Sequence, residues 1–226
     1  MDSSVIVTGA SGNLGGVVAQ KLRAAGYAVL ATASSPEGAA VLTKKGLTAE
    51  PLDLTDEAAV HRYVANLNAD VSAAVLTVGG YAGGSFSDTD GELLRKMYSL
   101  NFETAYFLAK ALLPAFSKGG GGQVILVGTR PALSPEEGIN TVAYALSKKL
   151  VFYLAELINA YGKGKNITAS VIVPSTIDTP ANRQALPTAD YSKWVTLDAI
   201  AESILFLLSD SGRQIREGVI KLYNEA

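Results

Sequence analysis

The stretch SVIVTGASGNLGGVVAQKLRAAG, residues 4–26, determines the fold of this chain. It opens at residues 4–8 with a β-branched run that ends at a glycine, as buried strands often do. A helical pattern follows, in which four apolar residues share one face: Leu14, Val17, Val18 and Leu22. Gly26 ends that pattern. The stretch predicts a strand, a glycine-rich turn and a helix, which together form the first unit of an α/β fold.

The turn carries glycines in a G-x-x-G-x-x-G spacing, at Gly9, Gly12 and Gly15. Directly between a first strand and a first helix, such a loop lets backbone N–H groups and a helix N-terminus approach a pyrophosphate. We therefore predict that this loop binds a dinucleotide cofactor. The residues expected to contact it are Gly9, Ser11, Gly12, Asn13, Leu14 and Gly15. The alternative is a tight turn that binds nothing.

Strands and helices alternate through the rest of the chain. Further strands are predicted at 27–33, 47–54, 71–80, 123–128, 167–174 and 218–224. Helices are predicted at 36–46, 55–68 with Thr55 as its cap, 90–116, 141–161 and 197–210. This alternation is typical of a parallel sheet covered by helices on both faces. We predict a single doubly wound Rossmann-type α/β domain, residues 1–226, with a parallel seven-stranded sheet that binds ligands at the carboxyl ends of its strands.

Composition excludes several classes of function. The net charge of −2, without a long basic run, argues against nucleic acid as a partner. The chain has no cysteine and one histidine, His61, so disulfides and thiolate catalysis are excluded and no metal site is expected. No apolar run is long enough to span a membrane, and the first residues lack the features of a signal peptide. A soluble, cytoplasmic protein that acts on a small molecule is the expectation.

The end of the second strand bears on the choice of cofactor. Folds that bind NAD usually place an acid there to hold the ribose hydroxyls. Here the positions are Ala33 and Ser34, so no carboxylate repels a 2′-phosphate and no cation attracts one. The hydroxyls of Thr32, Ser34 and Ser35 can serve instead. The sequence favours NADP(H), with NAD(H) as the alternative.

YALSK at 144–148 places a phenol and an ammonium four residues apart, Tyr144 and Lys148. On a helix both side chains lie on one face, one turn apart. A neighbouring ammonium favours the phenolate, so Lys148 is expected to lower the pKa of Tyr144 toward the working pH. The pair then suits proton donation during reduction of a carbonyl or imine. The alternative is an ordinary surface pair.

Six segments in order resemble the short-chain dehydrogenase/reductase family over the full length of the chain. They are TGASGNLG at 8–15, DL at 53–54, VGGYAGG at 78–84, Asn101, YALSK at 144–148 and PSTIDTP at 174–180. The resemblance implies that Tyr144 donates the proton, that Lys148 also binds the nicotinamide ribose and that Asn101 serves the proton path. Thr129 stands where the family has a substrate-holding Ser, with Ser134 as the alternative. The other cofactor contacts that it implies are Asp53, Leu54, Val78, Gly79, Gly80, Pro174, Ile177 and Thr179.

Within that family, GGYAGG at 79–84 and residues 174–194 are similar to segments of quinonoid dihydropteridine reductases. A substrate loop is expected at about 178–195, and Tyr81, Arg130 and Trp194 are candidates to contact a flat substrate. Core packing is the alternative for the rings, and solvent is the alternative for Arg130. Asn101 and the missing acid after the second strand depart from that group.

The function predicted from these residues is NAD(P)H-dependent reduction of a carbonyl or imine of a small molecule. One alternative is quinonoid dihydropteridine reduction, and an alternative of another class is a non-catalytic NADP-binding sensor. The resemblance also implies a homodimer or homotetramer that assembles through the helices at 90–116 and 141–161. The apolar residues of the second helix fit core packing equally well.

Overall fold

Seven strands are present in the computed structural model of the chain, which describes residues 4–225. They are β1 (Ser4–Val7), β2 (Ala28–Ala33), β3 (Thr48–Pro51), β4 (Val71–Leu76), β5 (Gly122–Val127), β6 (Ile167–Pro174) and β7 (Val219–Leu222). All neighbouring pairs are parallel, and their order is β3-β2-β1-β4-β5-β6-β7. The predicted single α/β domain with a parallel seven-stranded sheet is confirmed.

Helices connect these strands and cover both faces of the sheet. They are α1 (Asn13–Ala24), α2 (Pro36–Lys44), α3 (Glu57–Ala65), α4 (Gly91–Tyr98), α5 (Thr104–Lys118), α6 (Pro135–Gly138), α7 (Val142–Gly162), α8 (Pro180–Ala185) and α9 (Leu197–Leu208). Within residues 4–225, no helix is both long enough and apolar enough to cross a membrane.

The sheet separates two hydrophobic layers because successive side chains of a strand point to opposite faces. In β1, Val5 and Val7 belong to the layer under α1, α2 and α9, whereas Ile6 belongs to the layer under α3, α5 and α7. Burial on both faces explains why β1 reads as a continuous apolar run.

The order of the strands reverses at β1, which lies between β2 and β4. From β1 the chain proceeds to β2 and β3 on one side, and then returns to β4 on the other. The connections that leave the carboxyl ends of β1 and β4 therefore diverge and open a crevice between them. The glycine-rich turn after β1 lies at this crevice.

The predicted cap of the third helix was wrong. Helix α3 begins at Glu57, and the Asp56 carboxylate caps it by accepting a hydrogen bond from the Ala59 N–H at 3.1 Å. Thr55 lies in the preceding turn, where its N–H and hydroxyl both donate to Asp53 Oδ1. A carboxylate two residues upstream can close such a turn locally, which removes Thr55 from the capping role.

The long helix predicted at 90–116 is interrupted. A π-helical segment, Ser99–Glu103, separates α4 from α5 and contains Asn101. Two short helices, α6 and α8, were not predicted, because segments of four and six residues carry too little periodicity to be recognised. Each begins at a proline, which suits the first position of a helix.

Candidate functional site

Close backbone contacts shape the glycine loop. Gly9 has a φ of 61°, a left-handed conformation that glycine adopts without steric cost, and its carbonyl accepts from the Gly12 N–H at 2.9 Å. A Cβ atom at Gly15 would lie 2.4 Å from the same carbonyl oxygen. Helix α1 can therefore start directly against the end of β1 only if this position is glycine.

The start of α1 offers unsatisfied donors to the crevice. Gly12 is the N-cap, and it has no side chain to accept from the first-turn N–H groups. The first turn contains no acidic residue. Because a helix N-terminus carries a partial positive charge and free N–H groups, this end of α1 is suited to an anion such as a phosphate.

The crevice at the carboxyl ends of β1, β2 and β4 has a volume of about 590 Å³, within the range of small-molecule sites. We call it the glycine cleft. The sequence-predicted cofactor residues that line it are Gly9, Ser11, Gly12, Asn13, Leu14, Gly15, Ser34, Asp53, Leu54, Val78 and Gly79. Lining residues that the sequence did not identify include Leu52, Thr55, Thr77, Leu100 and Thr104.

Three hydroxyls follow one another at the end of β2 and in the turn after it. The Thr32 hydroxyl is buried against the cleft and has no hydrogen-bond partner within residues 4–225. Ser34 is exposed at the cleft, whereas Ser35 caps α2 by accepting from the Gly38 N–H at 3.2 Å. A buried hydroxyl without a partner suits a polar ligand that completes its hydrogen bonds. The Thr32 hydroxyl and the free N–H donors of α1 are groups that a dinucleotide can bind. The residues present therefore fit such a ligand.

Asp53 is the carboxylate that lines this cleft. Its Oδ1 accepts from the Thr55 hydroxyl at 2.6 Å and from the Thr55 N–H at 2.8 Å. These hydrogen bonds hold the pKa of Asp53 below its usual value, and the one from the hydroxyl has the larger effect. Asp53 is therefore charged at neutral pH, and its Oδ1 is already engaged.

Asn101 is buried and joins the loop after β4 to helix α7. Its Oδ1 accepts from the Gly80 N–H at 2.9 Å, and its Nδ2 donates to the Gly80 carbonyl at 3.1 Å and to Ser147 Oγ at 3.0 Å. The Ser147 hydroxyl in turn donates to the Tyr144 carbonyl at 2.8 Å. The π-helical segment thereby connects the loop after β4 with the first turns of α7.

Lys148 is buried below Gly79. Its Nζ donates to the Val127 carbonyl at 2.9 Å, and no carboxylate lies within 4 Å of it among the described residues. A Cβ atom at Gly79 would lie 3.0 Å from this ammonium and 2.6 Å from Asn101 Oδ1. Burial lowers the pKa of Lys148 to about 8.

Tyr144 lies one turn before Lys148 on α7, beside the end of β5. Burial raises the pKa of its phenol, and a hydrogen bond with the Thr129 hydroxyl opposes that rise. The expected lowering of the Tyr144 pKa toward the working pH was therefore wrong, because burial outweighs the hydrogen bond and the pKa lies above its ordinary value. We call Thr129, Tyr144, Lys148 and Asn101 the tyrosine cluster.

Ser134 and Arg130 turn toward the carboxylates of α6. The Ser134 hydroxyl donates to Glu136 at 3.1 Å, so Thr129 is the hydroxyl that meets Tyr144. Arg130 Nε donates to Glu137 at 2.8 Å, and its guanidinium lies over the ring of Tyr223, 5.5 Å from the centroid. The substrate contact predicted for Arg130 stays a prediction.

The two aromatic candidates for substrate contact have different surroundings. The ring of Tyr81 lies edge-on to that of Tyr144, with centroids 5.1 Å apart, and Tyr81 is 70% exposed. Trp194 is buried, with its centroid 4.8 Å from that of Tyr191. Tyr81 can therefore touch a ligand at Tyr144, whereas Trp194 packs within its own loop.

The loop predicted at 178–195 begins after Pro174, the last residue of β6, and contains α8. The Thr179 hydroxyl caps this helix by accepting from the Asn182 N–H at 3.2 Å. The Asn182 side chain donates to the Ile177 carbonyl at 2.8 Å. Both oxygens therefore have partners inside the loop. Pro174, Ile177 and Thr179 do not line the glycine cleft, so their contact with a nicotinamide stays a prediction.

Sequence reasoning missed the connecting groups of the site. The YALSK segment contains Ser147, but nothing in the pattern indicates that its hydroxyl meets Asn101. Thr77 was also missed, although its N–H donates to the Thr8 hydroxyl and its own hydroxyl donates to the Thr8 carbonyl. The available signal was that one threonine directly follows each of two adjacent parallel strands, Thr8 after β1 and Thr77 after β4.

Comparisons with known proteins agree with this geometry. The sequence profile of the short chain dehydrogenase family matches residues 3–190. The 3-oxoacyl-(acyl-carrier-protein) reductase MabA of Mycobacterium tuberculosis is 29% identical over 229 residues, covering 96% of this chain and 90% of that protein. The dihydropteridine reductase of Dictyostelium discoideum is 24% identical over 209 residues, covering 90% and 87%.

A solved structure of an oxidoreductase of the short chain dehydrogenase/reductase family, from Burkholderia thailandensis, has the same fold. It superposes with a TM-score of 0.88 at 23% identity, covering 98% of this chain and 91% of that one. The family profile spans most of the chain, including the glycine loop and the tyrosine cluster. The chain therefore belongs to the short-chain dehydrogenase family, and it is an NAD(P)-dependent oxidoreductase.

Proposed function

We propose that this protein reduces a carbonyl or imine of a small molecule, with Tyr144 as the proton donor. One observation carries the proposal. The Thr129 hydroxyl lies beside the Tyr144 phenol just after β5, and Lys148, one helical turn along α7, has its ammonium buried at the Val127 carbonyl. A hydroxyl pair at this place can hold the substrate oxygen or nitrogen and deliver a proton to it.

Each group of the tyrosine cluster has a distinct task in this proposal. Tyr144 gives its phenolic proton to the substrate, and Thr129 donates a hydrogen bond to the same atom. Lys148, with its pKa lowered by burial to about 8, is protonated at neutral pH and stabilises the phenolate that forms. Asn101 fixes the loop at Gly80 against α7, so the cluster keeps its geometry. A reduced nicotinamide, when bound, supplies the hydride.

We propose that NADP(H) is the preferred cofactor. The N-terminus of α1 would hold its pyrophosphate, and Thr32 and Ser34 would hold the substituted ribose. No carboxylate stands at Ala33 or Ser34 to repel a 2′-phosphate. The carboxylate that does line the glycine cleft, Asp53, has one oxygen engaged by Thr55. These observations support a preference for NADP(H), although neither Ala33 nor Ser34 supplies a cation for the 2′-phosphate.

A second candidate, quinonoid dihydropteridine reduction, is supported by Tyr81. Its exposed ring lies edge-on to Tyr144, where a flat heterocycle could stack on it. The Dictyostelium relative bears the name dihydropteridine reductase. A quinonoid substrate needs less acid help than a ketone, so this reaction would depend less on Tyr144.

The test is a reductase panel of ketones, imines and quinonoid dihydropterin, run with NADPH and NADH on wild type and Tyr144→Phe. Tyr153→Phe is the matched control, because Tyr153 is exposed on the same helix. We expect Tyr144→Phe to bind the cofactor normally and to lose turnover of ketones by on the order of 10²-fold or more, with the control unchanged. Retained turnover of ketones would refute the role of Tyr144.

Two other outcomes of the panel have definite meanings. Rapid turnover of dihydropterin that survives Tyr144→Phe, with poor turnover of ketones, would select the second candidate. Tight cofactor binding with no turnover on any substrate would instead favour a cofactor-binding sensor.

We also propose that the chain forms a homodimer through α5 and α7. These helices expose large apolar side chains: Tyr106, Leu146, Tyr153, Leu157 and Tyr161. Exposed apolar residues in such number on two long helices suit a subunit contact. Sedimentation equilibrium of wild type and Leu146→Glu/Leu157→Glu tests this. A wild-type monomer would refute the dimer, and a tetramer would require a further contact.

A further inference from the structure

A second cavity, of about 390 Å³, lies at the opposite edge of the sheet. Its wall is formed at the amino ends of β4, β5 and β6, by the glycine run at 119–122 and by the segment 213–216. The glycine cleft opens at the carboxyl ends of the strands, and the two cavities share no lining residue. We call the second one the amino-edge cavity.

Two arginines, Arg213 and Arg216, line the amino-edge cavity. Within residues 4–225, neither guanidinium has a carboxylate within 4 Å. The hydrogen bonds they make go to neutral acceptors: Arg213 donates to the Leu208 carbonyl and Ser72 Oγ, and Arg216 donates to the Arg213 carbonyl and Asn166 Oδ1. A guanidinium has five N–H donors, so each keeps donors for a further partner.

Gln123 also lines this cavity. Gln123 is 7% exposed, and its Nε2 donates to the Leu207 carbonyl at 3.0 Å. Its Oε1 is buried and has no hydrogen-bond partner among the described residues. An acceptor without a partner requires a donor, such as a hydroxyl, which a fully ionised phosphate group does not supply. The residues that line the cavity therefore include two cations and one side chain with an unused acceptor.

We propose that the amino-edge cavity binds a phosphate monoester that carries a free hydroxyl. The phosphate would accept from Arg213 and Arg216, whose planar forks match its oxygens, and the hydroxyl would donate to Gln123 Oε1. A phosphate is favoured over a carboxylate because it has more oxygens with which to accept from two guanidinium groups. Asp70, which also lines the cavity, leaves a net charge of +1 on the side chains there. This site is independent of the reduction proposed above.

Calorimetric titration of the protein with glycerol 3-phosphate and with methyl phosphate, a monoester without a free hydroxyl, tests the proposal. Saturation with the nicotinamide cofactor keeps the N-terminus of α1 from binding the probe. We expect one site that binds glycerol 3-phosphate more tightly than methyl phosphate. Arg216→Gln should weaken both by about tenfold or more, whereas Lys118→Gln, an exposed cation beside the glycine run, should weaken neither. Gln123→Met should abolish the preference for glycerol 3-phosphate.

Several outcomes would overturn the proposal. Binding that is unchanged in Arg213→Gln and in Arg216→Gln would place the phosphate elsewhere on the surface. Affinities weaker than about 10 mM for both probes would exclude a built site. If Arg213→Gln unfolds the protein, Arg216→Gln decides, because Arg216 is exposed and its loss leaves the core intact. Equal affinity of wild type for the two probes would show that Gln123 does not contact the ligand.

Discussion

The glycine cleft and the tyrosine cluster meet at the same edge of the sheet, but they are constructed differently. The cleft depends on backbone: the left-handed turn at Gly9, the contact at Gly15 and the free N–H groups of α1. The cluster depends on side chains from the turn after β5, from α7 and from the π-helical segment, held by burial and by individual hydrogen bonds.

This difference teaches where each region is vulnerable. A site formed by backbone loses ligand binding when any added side chain collides with it, whatever the chemistry of that side chain. The local fold is destabilised by the same collision. A side-chain site fails when one functional group is removed, while the fold around it persists. The two regions are therefore expected to separate in experiments that measure stability, cofactor binding and turnover independently.

The largest effect is expected at Gly15. In Gly15→Ala the Cβ would lie 2.4 Å from the Gly9 carbonyl oxygen and 2.7 Å from Thr77 Oγ1, and the first of these is backbone that cannot rotate away. We expect a loss of unfolding free energy at the upper end of about 1–3 kcal/mol, together with loss of cofactor binding. Chemical denaturation and cofactor titration measure the two.

Gly16→Ala is the matched control for this substitution. Its Cβ would lie 3.1 Å from the Ala10 carbonyl oxygen, a milder contact, and alanine favours a helix by about 1 kcal/mol over glycine. The control should stay close to wild type in stability and in binding. If Gly15→Ala behaved like the control, the cleft would not depend on close backbone contact.

The next effect separates stability from activity at Lys148. Its pKa is about 8 in the folded chain and 10.5 ordinarily, so between these pH values the unfolded chain binds more protons. The unfolding free energy should therefore rise with pH from about 8 to 10.5. Below pH 8 the buried charge costs stability, and Lys148→Met should add on the order of 3 kcal/mol there while abolishing turnover.

Denaturation of wild type and Lys148→Met from pH 7 to pH 10.5 measures this difference. The variant should lack the rise in stability that wild type shows above pH 8. Lys149→Met is the control, because the neighbouring lysine is exposed and its replacement should leave turnover unchanged. A destabilised Lys148→Met at pH 7 would mean that the hydrogen bond to Val127 outweighs the cost of the buried charge.

An intermediate effect is expected where Asn101 joins the two regions. Asn101→Ala leaves the Gly80 N–H and carbonyl without their side-chain partner and removes the bond to Ser147. We expect a loss of about 2 kcal/mol in unfolding free energy and weaker cofactor binding together with lower turnover. Ser147→Ala removes only the hydrogen bond between Asn101 and α7. Turnover should therefore fall while cofactor affinity is unchanged. Equal effects of the two variants on affinity would contradict this division.

The same contrast explains what the sequence could predict. The glycines of the turn after β1 could be predicted because their spacing is visible in the sequence, whereas lining residues such as Leu52 and Thr104 were not identified. The cofactor contacts of the cleft stay a prediction. Tyr144 and Lys148 were predicted because helical spacing places them on one face. Both patterns are local, but the catalytic role of the pair also rested on the resemblance of the whole chain to the family.

Contacts between distant segments escaped prediction. Ser147 meets Asn101 only because a π-helical segment rotates the asparagine toward α7, and no local pattern announces that segment. The cap of α3 was misplaced because Asp53, Thr55 and Asp56 compete for the same turn, and competing hydrogen bonds decide among them. Tertiary burial also sets the pKa of Lys148, which the sequence alone does not reveal.

The smallest effect is expected at Thr32, where the cleft does use a side chain. Its hydroxyl is buried without a partner, so Thr32→Val should leave unfolding free energy unchanged or raise it by about 1 kcal/mol. Thr8→Val is the control: Thr8 Oγ1 accepts from the Thr77 N–H at 3.0 Å, and its loss should cost about 1–2 kcal/mol. If Thr32 serves the cofactor ribose, Thr32→Val should also weaken NADPH binding by about threefold to tenfold. Unchanged NADPH affinity would show that the glycine cleft depends on backbone alone, which would make the contrast with the tyrosine cluster complete.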